Sequence, residues 1–381
     1  MPYSIRRVTD SGDMREFMDL PYRLYREDPY WVPPVRYFQK QLFSPKHPFH
    51  EHADVEFFIA LDSRGRTAGR IVSIVNHAHN DYHHEKTGFF GFLEMDRDPE
   101  LARKLLGTVE EDLAAKGMVR SRGPMNYSTN EECGLLVKGF QGSPLIMMPY
   151  NHPWYSELIE ACGYGGIRDL LAYMMDSDTM DYSRITRVAD LVRRRSRAAI
   201  RNMCVRRIHE EVPVIMDIYN ECWEDNWGFV PMSRRELDLM ADEMKMILKP
   251  SLAPIVEIDG LPVAFAVSLP DANQAFKKAS GSLLKAIIAL KVPLLKTRID
   301  RSRVLLLGVR KAYRGRGLEA LLIDRIIRSN REAGFPRGEL SWILDDNTSM
   351  RRILERDLNA DQYRTYRIYE KDIPTDNQPK R

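Results

Sequence analysis

Cysteine is scarce in this chain: Cys133, Cys162, Cys204 and Cys222 are the only four in 381 residues. No two of them stand in a C-x-x-C spacing. That argues against a disulfide scaffold or a zinc knuckle and fits a reducing compartment. There is no run of about 18 apolar residues of the kind that crosses a bilayer as a helix; the most apolar stretch, 283–295, carries Lys285 and Lys291. An excess of one charge is also missing. Fifty-seven basic and 54 acidic residues leave +3, so no global field points to nucleic acid. Glycine and proline, 22 each, are too few for collagen or low-complexity classes. The first ten residues are polar, with no apolar core of a signal peptide, so the expected location is cytoplasmic. What is present is ordinary for a folded protein: 44% hydrophobic and 29% charged residues exclude disorder as the main state. The length leads to an expectation of two or three domains.

The order of elements repeats along the chain. In the first half, alternation at 3–8 predicts a strand and 12–26 and 35–42 predict helices. A hairpin follows at 55–61 and 68–76, turned at Gly65, then a strand at 89–93. Leu101, Leu105, Val109 and Leu113 form a helical stripe over 99–116, ended by Gly117. The second half predicts helices at 213–224 and 233–248, a hairpin at 254–258 and 262–269, and a strand at 304–309. A helix at 318–332, a strand at 339–344, a helix at 347–356 and a closing strand at 363–370 complete it. Helix then strand also closes the first half, at 154–162 and 168–175. Strands alternating with helices predict an α/β (α+β) fold in two related domains, 1–178 and 179–381, each a mixed, largely antiparallel sheet flanked by helices. One large irregular α/β domain is the alternative.

The most informative segment is 304–322: an apolar strand, the turn Arg310-Lys311-Ala312-Tyr313-Arg314-Gly315-Arg316-Gly317, and a helix from Leu318. Gly315 and Gly317 let backbone N–H groups come close to a ligand. The helix start directs unpaired N–H groups and the positive end of its dipole at the turn, an anion site suited to a pyrophosphate. The spacing is neither a Walker loop nor a G-x-G-x-x-G fingerprint. A plain basic turn joining strand to helix is the alternative reading.

This segment resembles the acetyl-CoA-binding motif of the GNAT superfamily of acyl-CoA N-acyltransferases, [Q/R]-x-x-G-x-[G/A]. Arg314 and Gly317 match its first and fourth positions; the sixth is Glu319. The resemblance is at motif level for about 250–370 and topological for the first half. It implies acetyl-CoA or a longer acyl-CoA as co-substrate, held by Leu307, Val309, Arg314, Gly315, Arg316, Gly317, Leu318 and Asn347. A backbone N–H in 307–309 would face the thioester carbonyl, and Asn347 would hold the pantetheine arm. The tyrosine that such folds often use to protonate the leaving thiolate has no match at 354–356; Tyr363 or Tyr366 could substitute. No metal is expected. The first half lacks the basic turn and carries Glu94, Asp96, Asp98 and Glu100 around its helix start, so it implies a GNAT-like domain without a CoA loop. The paired arrangement resembles N-myristoyltransferases and FemAB-type transferases. With 123–130 and 226–231, the whole chain is similar to uncharacterised bacterial GNAT-type proteins.

Acyl transfer to an amine needs a base for the ammonium proton and a donor for the developing oxyanion. Glu339, Glu224 and Asp345 are the base candidates, with Tyr363 as acid; a solvated carboxylate is the alternative for each. Trp223, Asn226, Trp227 and Phe229 follow a predicted helix and are candidates for the acceptor pocket. Asn126 and Asn130, in the polar stretch 123–142, are further candidates. The series His77 to His84 reads as a polar loop at a hairpin end rather than a metal site. Residues 184–207 hold nine arginines and one acid; an anionic membrane, tRNA, the CoA 3′-phosphate and a solvated helix are the alternatives. Residues 274–301 are apolar and basic with no acid before Asp300, the pattern of a segment at a membrane interface or of a pair of core helices.

The expected function is therefore acyl-CoA-dependent transfer of an acetyl or longer acyl group to a small-molecule or lipidic primary amine, by direct attack on the thioester. Peripheral membrane contact through 274–301 is the candidate partner interaction, and nucleic acid is not expected. Two alternatives remain: a FemAB-like transferase using aminoacyl-tRNA, and a non-catalytic acyl-CoA-binding or membrane-associated protein.

Overall fold

In chain order the first elements are β1 (Tyr3–Arg7), α1 (Ser11–Leu24), α2 (Arg36–Leu42), β2 (Ala53–Asp62), β3 (Thr67–Asn76), α3 (His77–His83) and β4 (Thr87–Met95). Next come α4 (Pro99–Ala115), β5 (Arg120–Gly123), β6 (Leu135–Lys138), α5 (Tyr155–Ala161) and β7 (Gly165–Asp176). The later elements are α6 (Ser183–Arg195), β8 (Ala198–Asn202), α7 (Ile208–Trp223), α8 (Arg234–Met244), β9 (Pro254–Ile258), β10 (Leu261–Pro270), α9 (Asn273–Ala279) and α10 (Leu283–Lys291). The last are β11 (Arg301–Val309), α11 (Leu318–Glu332), β12 (Arg337–Leu344), α12 (Thr348–Arg352) and β13 (Asp361–Asp372). The computed structural model describes residues 3–374. They form two compact units: 3–169 with 280–283 and 365–374, and 170–279 with 284–364.

The first unit contains the strand order β1-β2-β3-β4-β5-β13, with β6 also on β13. All of these pairs are antiparallel except β4 with β5. β3 is buried along its whole length, as a strand covered on both faces must be. The expected stripe Leu101, Leu105, Val109 and Leu113 of α4 is fully buried in this unit's core, with Phe90, Tyr155 and Tyr369.

The second unit contains the order β7-β12-β11-β10-β9-β8. β11 and β12 are parallel; the other pairs are antiparallel. α11 lays Leu318, Leu321, Leu322 and Ile326 onto a core that includes Val256, Val263 and Ala266, and Ala189 and Val192 of α6 join it. The expected α/β class, mixed and largely antiparallel sheet flanked by helices, is what the chain adopts.

The closing strands do not stay with the halves that precede them. Residues 170–176 of β7 belong to the second unit and pair with β12, while residues 369–372 of β13 belong to the first and pair with β5. The histidine series is also not a loop. Asn76 caps α3 by accepting the His79 N–H at 3.1 Å, and His79 is buried edge-on against Phe89. Burial of one ring gives the short helix an inner face that composition alone does not show. Residues 198–202, unassigned from sequence, form β8. The predicted helix 347–356 is α-helical only over Thr348–Arg352 and widens into a π turn at Ile353–Asp357.

Candidate active site

Within the second unit, β11 and β12 pair only from Arg301 with Arg337 to Val304 with Leu340. Beyond Val304, β11 keeps its pairing to β10 as far as Val309 but not its pairing to β12. The register of β10 with β11 shifts at the same point: Val267 faces Leu306 and Ser268 faces Val304, which leaves Leu305 of β11 as the extra residue of a bulge. Backbone polar groups released from a ladder need other partners. The opening between the strands is part of a cleft of about 860 Å³, lined by 304–309 without Leu306 and by 340–344. Arg314, Gly317 and Glu319 form its floor at the start of α11, and Asn347 and Met350 stand on another side.

The turn into α11 is built as the sequence implies. Gly315 (φ +73°) and Gly317 (φ +80°) are both left-handed, a conformation side chains resist. Gly317 is the N-cap of α11, and no side chain caps that helix start. Its first N–H groups and dipole are thus available to an anion. The basic residues around the turn are unequal. Arg310 pairs with Glu221 at 2.6 Å, and Lys311 with Glu224 at 2.6 Å and Asp225 at 2.7 Å. Asp225 and Glu224 raise the Lys311 ammonium above its ordinary value. Arg314 instead bonds the carbonyls of Val309 (3.3 Å) and Cys222 (3.4 Å). Arg316 lies over the Tyr313 ring at 4.9 Å and bonds the Ala312 carbonyl. Arg314 and Arg316 are thus not tied up in direct ion pairs beside the helix start, although Glu221 and Asp225 lie within Coulombic reach of Arg314.

A buried polar cluster stands behind the β12 wall. Glu339 is fully buried and Arg303 nearly so. Arg303 Nε donates to Ser341 Oγ at 2.8 Å and lies 3.8 Å from Glu339 Oε1. Ser341 Oγ donates to Glu339 Oε1 at 2.6 Å, and the Tyr363 hydroxyl donates to Glu339 Oε2. Two residues named from sequence, Glu339 and Tyr363, are thus in direct contact. Glu339 itself does not line the cleft; Ser341 does.

The end of α7 and the segment after it also line the cleft, beside β11. Trp223, Asn226 and Trp227 line the cleft, with Trp223 stacked on Tyr219 at 4.6 Å. Phe229 is buried, packed near Tyr219. Glu224 is half exposed and held by Lys311. Cys222, outside the strand–turn–helix in sequence, is brought to the cleft and donates to the Val309 carbonyl at 3.1 Å. Burial raises its thiol above the ordinary value, which keeps it protonated and weakly nucleophilic.

The chain is 34% identical over 379 residues to the protein YghO of Escherichia coli, covering 97% of this chain and 95% of that one. It is 32% identical over 385 residues to a protein of Caulobacter vibrioides named bacterial ceramide synthase, covering 97% of each. The chain belongs to the family of these two proteins. No protein-family model matches it. Among solved structures it is similar to a tandem GNAT protein from the clavulanic acid biosynthesis pathway, with a TM-score of 0.58 and 13% identity over 98% of this chain and 100% of that one. It is also similar to a GCN5-related N-acetyltransferase from Sphaerobacter thermophilus, with a TM-score of 0.54 and 12% identity over 99% and 98%. At such identities the likeness establishes the fold, a tandem GNAT arrangement.

In this chain the two units differ at the helix that follows the parallel-paired strand. In the first unit, Asp98 caps α4 and accepts from the N–H groups of Glu100 (2.7 Å) and Leu101 (3.4 Å). That helix start is already occupied by a carboxylate, whereas the start of α11 is not. Asn126 and Asn130 lie in this first unit: Asn126 Oδ1 accepts the Phe92 N–H at 2.8 Å, and the Asn130 N–H donates to Ser128 Oγ. Asn347 caps α12 by accepting from Met350 N at 3.1 Å.

Sequence reasoning did not select Arg303, nor Ser341 as a cleft residue; the signal was Ser341 sharing a strand face with Glu339. It left the CoA 3′-phosphate as one of several alternatives for 184–207 and named no cleft residue there; Arg184, Ile185 and Val188 of α6 line the cleft. Five of the nine arginines of 184–207 are paired within this unit: Arg184 with Asp357, Arg193 with Asp324, Arg197 with Asp259, Arg201 with Glu211 and Glu257, and Arg207 with Glu210.

Proposed function

We propose that this chain is an acyl-CoA-dependent N-acyltransferase whose acceptor is a long-chain primary amine, giving a ceramide-type fatty amide. The observation that carries the reading is the α11 start without a side-chain cap, flanked by Arg314 and Arg316, which opens onto the cleft between the diverged ends of β11 and β12. A pyrophosphate fits a helix start of that kind. A pantetheine arm fits between strands whose edges have lost their mutual pairing, with Leu307 and Val309 on one side and Asn347 on the other. The name of the Caulobacter relative supports the acceptor class: a ceramide is a fatty amide of a long-chain amino alcohol. The apolar side chains of Ile323, Met350, Ile353 and Trp227 on the cleft support a fatty acyl or long-chain partner.

In this reading the amine nitrogen attacks the thioester carbonyl, forming the C–N bond; the C–S bond then breaks, and the leaving CoA thiolate takes up the proton that the acylated nitrogen sheds. A backbone N–H of β11 beyond Val304 stabilises the oxyanion. The ammonium proton passes through Ser341 Oγ to Glu339, and Tyr363 and Arg303 hold that carboxylate in place. Glu224, committed to Lys311, is the weaker base candidate.

The test combines calorimetry with product analysis. Palmitoyl-CoA should bind with a 1:1 stoichiometry, and incubation with sphinganine should release one free thiol per amide formed, read by mass spectrometry. Intact acyl-CoA binding in an Arg314→Ala, Gly317→Ala double variant would overturn the site. Binding without thiol release across short and long amines would overturn the reaction.

A further inference from the structure

We infer that α10 and the turn after it form a docking surface for an anionic lipid bilayer. Ten large apolar side chains are exposed among the described residues, and four of them lie within 284–295. These four include the three most exposed: Leu294 at 96%, Leu284 at 68% and Leu295 at 66%, with Ile287 at 41%. Such clustering is not the scattered exposure found on ordinary surfaces. The local geometry explains it. Ala286 and Ala289 are the buried residues of α10, so the small side chains face inward. Positions 284, 287 and 291 fall on the opposite face at helical spacing. The turn that follows then presents Leu294, Leu295 and Lys296 outward.

Charge selects the occupant. From 274 to 299 the sequence has Lys277, Lys278, Lys285, Lys291, Lys296 and Arg298 and no acid. Lys291 Nζ bonds the Met246 carbonyl at 2.7 Å, which leaves its charge uncompensated. A bilayer of anionic lipids answers both features at once: leucines enter the acyl boundary while lysines meet the negatively charged headgroups. A second copy of this chain meeting the same face would set like charges against like. No helix among the described residues is long and apolar enough to cross a membrane, so the contact is interfacial. The inference stands apart from the reaction, and it gains a purpose from the proposed lipidic acceptor.

The experiment uses the full chain and vesicles of phosphatidylcholine with about 30% phosphatidylglycerol. Two variants are compared, Leu294→Ser with Leu295→Ser, and Lys291→Glu with Lys296→Glu; both sets are exposed, and thermal unfolding checks their fold. Cosedimentation should show wild-type binding that weakens in pure phosphatidylcholine and at high salt, and falls about tenfold or more in either variant. Turnover of a short water-soluble amine should be unchanged in both, while acylation of a vesicle-embedded amine should drop. Wild type that ignores anionic vesicles, or variants that bind like wild type, would overturn the docking surface. So would a concentration-dependent dimer in wild type that both variants abolish. Vesicle binding without acyl transfer would leave this surface standing and overturn the reaction instead.

Discussion

The Ser341 hydroxyl, on the cleft wall, donates at 2.6 Å to the carboxylate of Glu339, which is sealed from solvent. A group open to the cleft and a buried acceptor are thus linked by one hydrogen bond. Arg303 completes the pair from the neighbouring strand.

This relationship predicts a split between chemistry and folding. Glu339→Gln keeps a polar partner for Arg303 and Tyr363 but cannot take a proton, so kcat should fall about 10²–10⁴-fold with little change in acyl-CoA affinity. Glu339→Ala removes the buried carboxylate beside Arg303 and should also cost about 3–5 kcal/mol of stability, read by urea unfolding. Ser341→Ala should lower kcat and leave the acyl-CoA dissociation constant unchanged. A Glu339→Gln variant as fast as wild type would remove the carboxylate from the mechanism.

The two cations at the turn should behave differently. Arg314→Ala removes a positive charge held in no direct ion pair beside the α11 start and should weaken acyl-CoA binding about tenfold or more, with a smaller salt dependence. Lys311→Ala removes a charge already balanced by Glu224 and Asp225, and its effect should be several-fold smaller. Equal losses by calorimetry would contradict this ranking.

Gly315 and Gly317 share a backbone region but not a neighbourhood. A Cβ at Gly315 meets nothing within 4 Å, whereas one at Gly317 would sit 2.8 Å from Val192 Cγ2. Gly315→Ala should therefore cost only its backbone strain, about 1 kcal/mol. Gly317→Ala should cost more, because α6 must move away from the turn, and acyl-CoA binding should suffer with it. Denaturant midpoints of the two variants would separate them.

His79 gives the chain an acid-sensitive element in its first unit. Burial, then the neighbouring His83 and Arg122 charges, lower its imidazole to about 4 from an ordinary value near 6.5. Below about 6.5 the unfolded chain takes up this proton and the folded chain does not, so stability falls as pH drops from about 6.5 toward about 4. Above that window the contribution is complete. Wild type should lose stability between pH 7 and pH 5 more steeply than His79→Gln, measured by thermal unfolding. Identical slopes would show that the ring is not buried in solution.

Much of the fold was legible because it is written locally. The α4 stripe at 101, 105, 109 and 113 repeats at helical spacing, and α11 runs over Leu318–Glu332 as its glycine boundaries predict. α3 was not legible, since its inner face is a single histidine whose burial depends on Phe89 of another strand. The expected cleft residues Trp223, Asn226 and Trp227 come to the same cleft as Arg314 and Gly317. Phe229, three positions after Asn226, turns into the core instead, because side-chain direction after a helix ends is set by the turn and not by spacing.

The sequence by itself determined the turn chemistry: two glycines, two arginines and a helix start, all within eight residues, where local backbone preference and dipole suffice. It also set the contrast with the acidic start of α4. Only the tertiary structure decided the rest. Divergence of β11 from β12 after four paired residues coincides with a bulge at Leu305 that only the pairing of β11 with β10 reveals. The link from Ser341 to Glu339 and Arg303 joins residues up to 38 positions apart, and the exchange of β7 and β13 between units depends on long-range pairing. Such pairings are chosen by the energy of the assembled sheet, to which no local segment has access.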